Sequence, residues 1–235
     1  MLQVHIDSAG YQQKKLYLQD IHFTICPGEI VGLIGANGAG KSTTIKSIIG
    51  TMEHVHGNIE LEEDKQLAYI PEEPILYDRL TLWEHLRLAA TSYEMPQTIW
   101  EPRAKDLLKK FSLTGKEHEL PIHFSKGMRQ KTLICLSFMT VADIYIIDEP
   151  FIGLDPIATK HLINLLYQEK ERGAALLMST HVLDSAEKLC DRFILLNEGN
   201  TIFQGDLQAL QEETNQSAGT SLLDCFYELL EEGVS

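Results

Sequence analysis

The sequence predicts an α/β fold: a core of buried strands alternating with helices, interrupted by an inserted helical block. Three observations predict it. Short apolar runs of strand length recur at Glu29–Ile34, Ile144–Ile147, Ala174–Ser179 and Arg192–Leu196. Between Leu80 and Met139 the apolar spacing becomes helical. Finally, the segment Gly35–Thr43, reading Gly-Ala-Asn-Gly-Ala-Gly-Lys-Ser-Thr, joins the strand-like Ile30–Ile34 to the helix-like Thr44–Ile49. That strand, Gly-rich loop, helix order is the context a phosphate-binding loop requires.

The first third is strand-rich. Its signals are Val4–Ile6, Leu16–Ile25 (Ile21, Phe23 and Ile25 alternating with His22 and Thr24), Glu29–Ile34, Gly57–Leu61 and the short Tyr69-Ile70, ended by Pro71. His54-Val55-His56 has the spacing of metal ligands but no nearby Cys or third ligand, and reads as a turn. In the helical block, Leu82, His85, Leu86, Ala89 and Ala90 share one face, and Ala104, Leu107, Leu108 and Phe111 another. Pro96, Pro102 and Pro121 punctuate it. The strand Ile144–Asp148 follows, then a helix at Ala158–Glu171, a strand at Ala174–Ser179 and a helix at Val182–Leu189. Strands at Arg192–Leu196 and Thr201–Gln204 complete the core. In the tail, Leu222, Leu223, Phe226, Leu229 and Leu230 line one helical face opposite Asp224, Glu228 and Glu231. This face packs on the core or meets a partner; its acidity disfavours a membrane surface.

With 235 residues, the chain can bury a sizeable interior as one large domain or a core with a small subdomain. Its formal net charge of -14 argues against a protein held on nucleic acid by charge, and against an anionic bilayer as direct partner. Cys26, Cys135, Cys190 and Cys225 are far apart and read as reduced cytosolic cysteines. Met1–Asp7 alternates like a strand and lacks a signal-peptide layout, and no run approaches the roughly 20 apolar residues of a membrane span.

The chemistry is concentrated in a few residues. Gly35, Gly38 and Gly40 let successive N–H groups converge on one phosphate chain, and the following helix start adds its partial positive charge. Lys41 reaches the β- and γ-phosphates, and the Ser42 hydroxyl ligates Mg²⁺. Asp148, ending an apolar strand, fits the carboxylate that holds Mg²⁺ through its water shell, and Glu149 is placed to polarise the attacking water. Thr180-His181 supplies polar groups at a strand's C-terminal edge, where parallel sheets bind ligands.

These landmarks, in this order, resemble the ATP-binding subunit of an ABC transporter over nearly the whole chain. Tyr11 matches the aromatic that stacks on adenine. Gly35–Thr43 matches the Walker A loop, with Gly35, Asn37, Gly38, Gly40, Lys41, Ser42 and Thr43 on the nucleotide. Phe124-Ser125-Lys126-Gly127-Met128 stands at the family signature, from which Ser125 and Gly127 reach the γ-phosphate. Ile144–Asp148 matches Walker B, Glu149 the catalytic glutamate, Gly153-Leu154-Asp155 the D-loop and His181 the switch histidine. The resemblance implies a P-loop NTPase (RecA-like) core with an antiparallel β subdomain and an inserted α-helical subdomain. It spans residues 1–235 as a single domain, with the helical subdomain at about 78–140 and a helical tail at about 206–235. It implies an ATPase that uses ATP and Mg²⁺, held by Ser42, Asp148 and Glu72. It also implies a second ATP-binding subunit (a homodimer) and a multi-span membrane permease at the cytoplasmic face of the membrane, with no nucleic acid and no lipid anchor.

Two positions depart from the pattern. The signature usually reads Leu-Ser-Gly-Gly-Gln, so Lys126 replaces a Gly and Met128 the Gln. Glu72, in Pro71-Glu72-Glu73-Pro74, stands where the family has a Gln; when ionised it can ligate metal but donate no hydrogen bond. More narrowly, Tyr69–Glu72, His123–Met128, Ile144–Leu154 and Leu177–His181 resemble the ATPase of Ecs-type transporters, which implies a bacterial exporter. Beyond Glu72, the cluster Ile75, Leu76, Tyr77, Leu80, Leu82 and Trp83 either fills the subdomain interior or receives a helix of the membrane subunit. Three classes of function are compatible with these residues: a transport ATPase, a soluble mechanochemical ATPase and a nucleotide-sensing module. Intact Glu149 and His181 disfavour the last, and the lack of a second cassette or coiled-coil insertion disfavours the second.

Overall fold

The computed structural model describes residues 1–12 and 15–232. Two sheets frame it. β1 (Leu2–Gln12), β2 (Lys15–Ile25) and β4 (His54–Leu61) form an antiparallel sheet in the order β2-β1-β4. β3 (Ile30–Ile34), β5 (Leu67–Ile70), β6 (Ile144–Asp148), β7 (Ala175–Thr180), β8 (Arg192–Asn197) and β9 (Asn200–Gly205) form the other. Its order is β5-β6-β7-β3-β8-β9, parallel except for β9. Because β7 lies between β6 and β3, the C-terminal ends of these three strands share one edge, with Ile34 beside Thr180 and Asp148 beside Ser179.

The period-2 alternation of β6 sorts the core into layers. Tyr145 and Ile147 join Leu86, Trp100, Leu108, Phe138 and Leu162 in a helical layer. That layer is built by α2 (Leu82–Ser92), α3 (Gln97–Lys110), α4 (Lys126–Met139) and α5 (Pro156–Arg172). Ile144 and Ile146 point the other way, toward Ile6 and Ile21 of the antiparallel sheet and Ile45 of α1 (Lys41–Ile48). A third cluster packs α6 (Leu183–Leu189), α7 (Leu207–Glu213) and α8 (Leu222–Glu232) on Ile34, Phe193 and Leu195. Tyr145 anchors the helical layer: its ring stacks on Phe138 at 5.0 Å, and its hydroxyl donates to Thr140 O and accepts from Ala142 N–H. Complete burial of such side chains contributes roughly 1.5–3 kcal/mol each.

Local chemistry sets several element ends. Thr81 and Glu84 form a reciprocal capping box at the start of α2. Asp155 caps α5, accepting N–H bonds from Ile157 and Ala158, and Gly173 ends that helix in the left-handed conformation. Two sequence expectations need correction. His54-Val55-His56 is not a turn: it opens β4, with His54 opposite Gly10 and His56 opposite Ser8, because the ladder with β1 supplies partners that local composition does not reveal. Pro102 does not interrupt the helical block but lies inside α3. Its missing N–H costs one intrahelical bond, which burial of Trp100, Ala104, Leu107 and Leu108 offsets. The last tail positions, 233–235, lie outside the described residues.

One turn ties the two sheets to the phosphate-binding loop. Glu198 and Gly199 join β8 to β9 with φ values of 48° and 80°, as a two-residue turn of the I′ kind demands. Gly199 N–H donates to Ala39 O at 3.0 Å, and Gly199 O accepts from Gln19 N–H at 2.9 Å. A Cβ at this position would lie 2.0 Å from Tyr17 O. Gly199→Ala is therefore expected to cost about 2 kcal/mol in urea unfolding and to weaken nucleotide binding by displacing Ala39. Unchanged stability and affinity would show that the turn does not hold the loop.

Candidate active site

The phosphate-binding loop leaves β3 at Gly35 and enters α1 at Lys41, with Gly38 and Gly40 at φ values of 87° and 111°. It borders a cavity of about 510 Å³ lined by Tyr11, Tyr17, Asn37, Gly38, Gly40, Lys41, Ser42, Thr43, Glu72, Glu149, Ile152 and His181. Among these, Ser42, Asn37 and Glu72 are exposed, whereas Lys41 and Thr43 are buried.

Lys41 is the electrostatic centre. Its Nζ donates to Gly35 O at 2.7 Å and to Ala36 O at 3.2 Å, and lies 4.0 Å from Glu149 Oε1. Burial holds its pKa below the ordinary lysine value; the negative charges of Glu149, Asp148 and Glu72 oppose that shift without cancelling it. The same acids act on Tyr69, whose phenol is pushed up to about 12, first by burial and then by Asp148 and Glu72.

Asp148 ends β6 with 5% exposure and receives a hydrogen bond from the Ser179 hydroxyl. Glu149 follows at φ 46°, an uncommon conformation for a residue with a side chain. Its N–H is held by Ser179 O at 3.2 Å and Ser179 Oγ at 3.1 Å, and its Oε1 lies 2.7 Å from His181 Nδ1. The Glu149 carboxylate thus sits between the Lys41 ammonium and the His181 ring in the cavity wall. Elsewhere in the lining, Tyr11 meets Tyr17 edge to face at 5.4 Å, and Lys46 Nζ is 3.4 Å from the Tyr11 hydroxyl.

Ser125, Gly127 and Asp155 do not line this cavity. Ser125 caps α4, its Oγ accepting Met128 N–H at 3.3 Å, and is exposed, as is Lys126. A Cβ on Gly127 would lie 2.7 Å from Gly153 O, so the start of α4 packs against the Gly153-Leu154-Asp155 turn only because position 127 has no side chain. Lys131 of α4 closes the same junction with a 2.5 Å bond to Asp155. That bond, followed by the Ala158 N–H, holds the Asp155 carboxyl below the usual range. The Ser125 and Asp155 segments therefore form one unit, separate from the loop of the same chain.

Sequence reasoning missed Tyr17, Ile152 and Ser179. The sequence offers no distinct signal for Ser179, which shares the end of β7 with Thr180, whereas an aromatic at an exposed strand position is the signal for Tyr17. As for metal, the Ser42 hydroxyl and the Asp148 and Glu72 carboxylates are hard oxygen donors of the kind Mg²⁺ takes. Among the described residues no group of three or more His, Cys, Asp and Glu could hold a metal ion by itself. This donor set suits an ion that draws its remaining ligands from phosphate and water.

The chain matches the ABC transporter family over residues 18–152. It is 50% identical over 231 residues to the uncharacterized ABC transporter ATP-binding protein YthP of Bacillus subtilis (strain 168), covering 98% of this chain and 97% of that protein. The chain belongs to the ABC transporter family. It is 44% identical over 242 residues to the ABC-type transporter ATP-binding protein EcsA of the same organism, covering 99% of this chain and 97% of that one. A solved structure of an ATP-binding subunit of an ABC transporter superposes with a TM-score of 0.93 at 42% identity, covering 98% of this chain and 99% of the other. The protein is thus an EcsA-like ABC ATPase with a P-loop NTPase fold, which binds and hydrolyses ATP. No helix among its described residues is long and apolar enough to cross a membrane.

Lys41 gives a pH test. If phosphate oxygens replace the Gly35 and Ala36 carbonyls on nucleotide binding, the pKa of Lys41 rises and binding takes up a proton between the lowered free value and the bound value. Affinity holds below that window and falls as pH rises through the free value. Calorimetry in buffers of different ionisation enthalpy, run across the alkaline range below the ordinary lysine value, is expected to show fractional proton uptake that Lys41→Met abolishes. Equal uptake by both proteins would remove Lys41 from the phosphate site.

Proposed function

We propose that this ABC ATPase works as a head-to-tail homodimer energising a bacterial exporter through a separate multi-span membrane subunit, at the cytoplasmic face of the membrane. One observation carries the reading: the cavity holding Lys41, Glu149 and His181 lacks Ser125, Gly127 and Asp155, which sit together on another surface of the chain. A two-fold arrangement of two copies is self-complementary and supplies each cavity with the other copy's Ser125 unit. There the start of α4 offers its hydroxyl and N–H groups to the γ-phosphate, and exposed Lys126 adds positive charge where the usual family glycine adds none.

Within the sandwich, Tyr11 stacks on adenine. The loop N–H groups and Lys41 hold the phosphates. Ser42, Asp148 and Glu72 hold Mg²⁺, which when bound neutralises phosphate charge. Glu149 accepts the proton of the water attacking the γ-phosphorus while the bond to the β–γ bridging oxygen breaks. His181 fixes the Glu149 carboxylate through its 2.7 Å contact. Glu72 connects this cavity to the segment that follows β5. There Ile75 and Tyr77 are 83% and 65% exposed, whereas Leu82 is fully buried and belongs to the core. We assign Ile75 and Tyr77 as anchors for a helix of the membrane subunit.

Co-expression with the membrane subunit tests both parts. Glu149→Gln is expected to cut turnover by roughly a hundredfold or more and to accumulate an ATP-dependent dimer. Tyr77→Asp is expected to leave that dimer intact but to release the membrane subunit. A Glu149→Gln protein that stays monomeric at saturating ATP would sink the sandwich. Retention of the membrane subunit by Tyr77→Asp would move the docking site elsewhere.

A further inference from the structure

Ser179 is fully buried near the end of β7, following the apolar residues Ala175–Met178. A hydroxyl in such a place needs partners, and both of its partners belong to the site. Its Oγ donates to Asp148 Oδ1 and accepts the Glu149 N–H at 3.1 Å. Strand register makes this pairing obligatory, because Asp148 and Ser179 are direct neighbours in the β6–β7 ladder. Alternation then gives the face. Ile144 and Ile146 of β6 and Ala175 and Leu177 of β7 lie in the layer of α1, so Asp148 and Ser179, two residues further on, lie on the phosphate-loop side. Glu149 leaves the strand at φ 46°, a conformation that persists only when its surroundings determine it.

We propose that Ser179 is a positioning residue for ATP hydrolysis: one hydroxyl fixes both the rotation of the Asp148 carboxylate and the backbone from which Glu149 projects. The inference rests on Asp148 serving the metal and Glu149 the water. Loss of the hydroxyl frees Asp148 Oδ1 and leaves the Glu149 N–H to the Ser179 carbonyl alone. Contacts that Lys41 and the loop make with phosphate do not involve Ser179. The effect therefore falls on turnover and on the response to Mg²⁺, not on binding of metal-free nucleotide.

Three variants test this. Ser179→Ala removes one atom and introduces no clash; Ser179→Thr keeps the hydroxyl; Ser179→Val has the threonine shape without it. Each is measured for kcat and KM, for ATP affinity in EDTA, and for the Mg²⁺ concentration giving half of the ATP-induced rise in melting temperature. Ser179→Ala is expected to lower kcat about tenfold or more and to raise the half-saturating Mg²⁺ several-fold. KM and metal-free affinity should stay within about twofold, and the melting temperature close to wild type. Ser179→Thr should recover most of the kcat that Ser179→Val loses. Ser179→Ala keeping both kcat and the Mg²⁺ midpoint would overturn the proposal, as would losses of folding and nucleotide binding in proportion to activity. Asp148→Asn and Glu149→Gln controls separate the two levels. If they too keep full turnover, the underlying assignment fails; if they lose it while Ser179→Ala does not, only the role of Ser179 fails.

Discussion

Everything at this site depends on where one buried ammonium is held. Lys41 sits beneath the phosphate-binding loop, bound to the Gly35 and Ala36 carbonyls and facing Glu149, in a place that disfavours its charge. An ammonium kept there by carbonyls and acids is only partly compensated. On the proposed reading, phosphate oxygens would compensate it better than these carbonyls, so the arrangement would favour nucleotide. The fold exists to hold that imbalance: β3, β7 and β6 align Gly35, Ser179 and Asp148 on one sheet edge, and the Gly199 turn clamps Ala39 from outside.

The same edge explains how binding and hydrolysis are kept distinct. On the proposed reading, the groups for the phosphate chain come from the loop and α1, and those for the attacking water from the ends of β6 and β7. The contact of Lys41 with Glu149 joins the two sets. The Ser125 and Asp155 segments are in turn joined to each other by Gly127 against Gly153 and by Lys131 with Asp155. A movement of the start of α4 therefore carries the Asp155 turn with it.

Much of this was legible in the sequence, for physical reasons. Gly35–Thr43 is legible because a loop that converges N–H groups on phosphate needs glycines and a lysine at fixed spacing. Asp148 and Glu149 stand out because, in a chain that carries a complete phosphate-binding loop, two acids ending an apolar strand are more than helix caps. What stayed hidden depends on neighbours distant in the chain. Ser179 differs from any strand serine only through the β6–β7 register, and His54–His56 becomes a strand only by pairing with β1. Pro102 is tolerated in α3 because tertiary burial outweighs a local penalty. The cluster from Ile75 to Trp83 could be divided into surface and core only once exposure was known, with Ile75 and Tyr77 on one side and Leu82 on the other.

On this reading, Lys41 is held at a cost to the fold that nucleotide offsets. Thermal unfolding of Lys41→Met, with and without ATP, tests it most directly, because methionine keeps the apolar stem and removes the charge. A melting temperature without nucleotide equal to or above wild type is expected, together with loss of the rise that ATP produces. A melting temperature several degrees lower, with the ATP-induced rise intact, would contradict it.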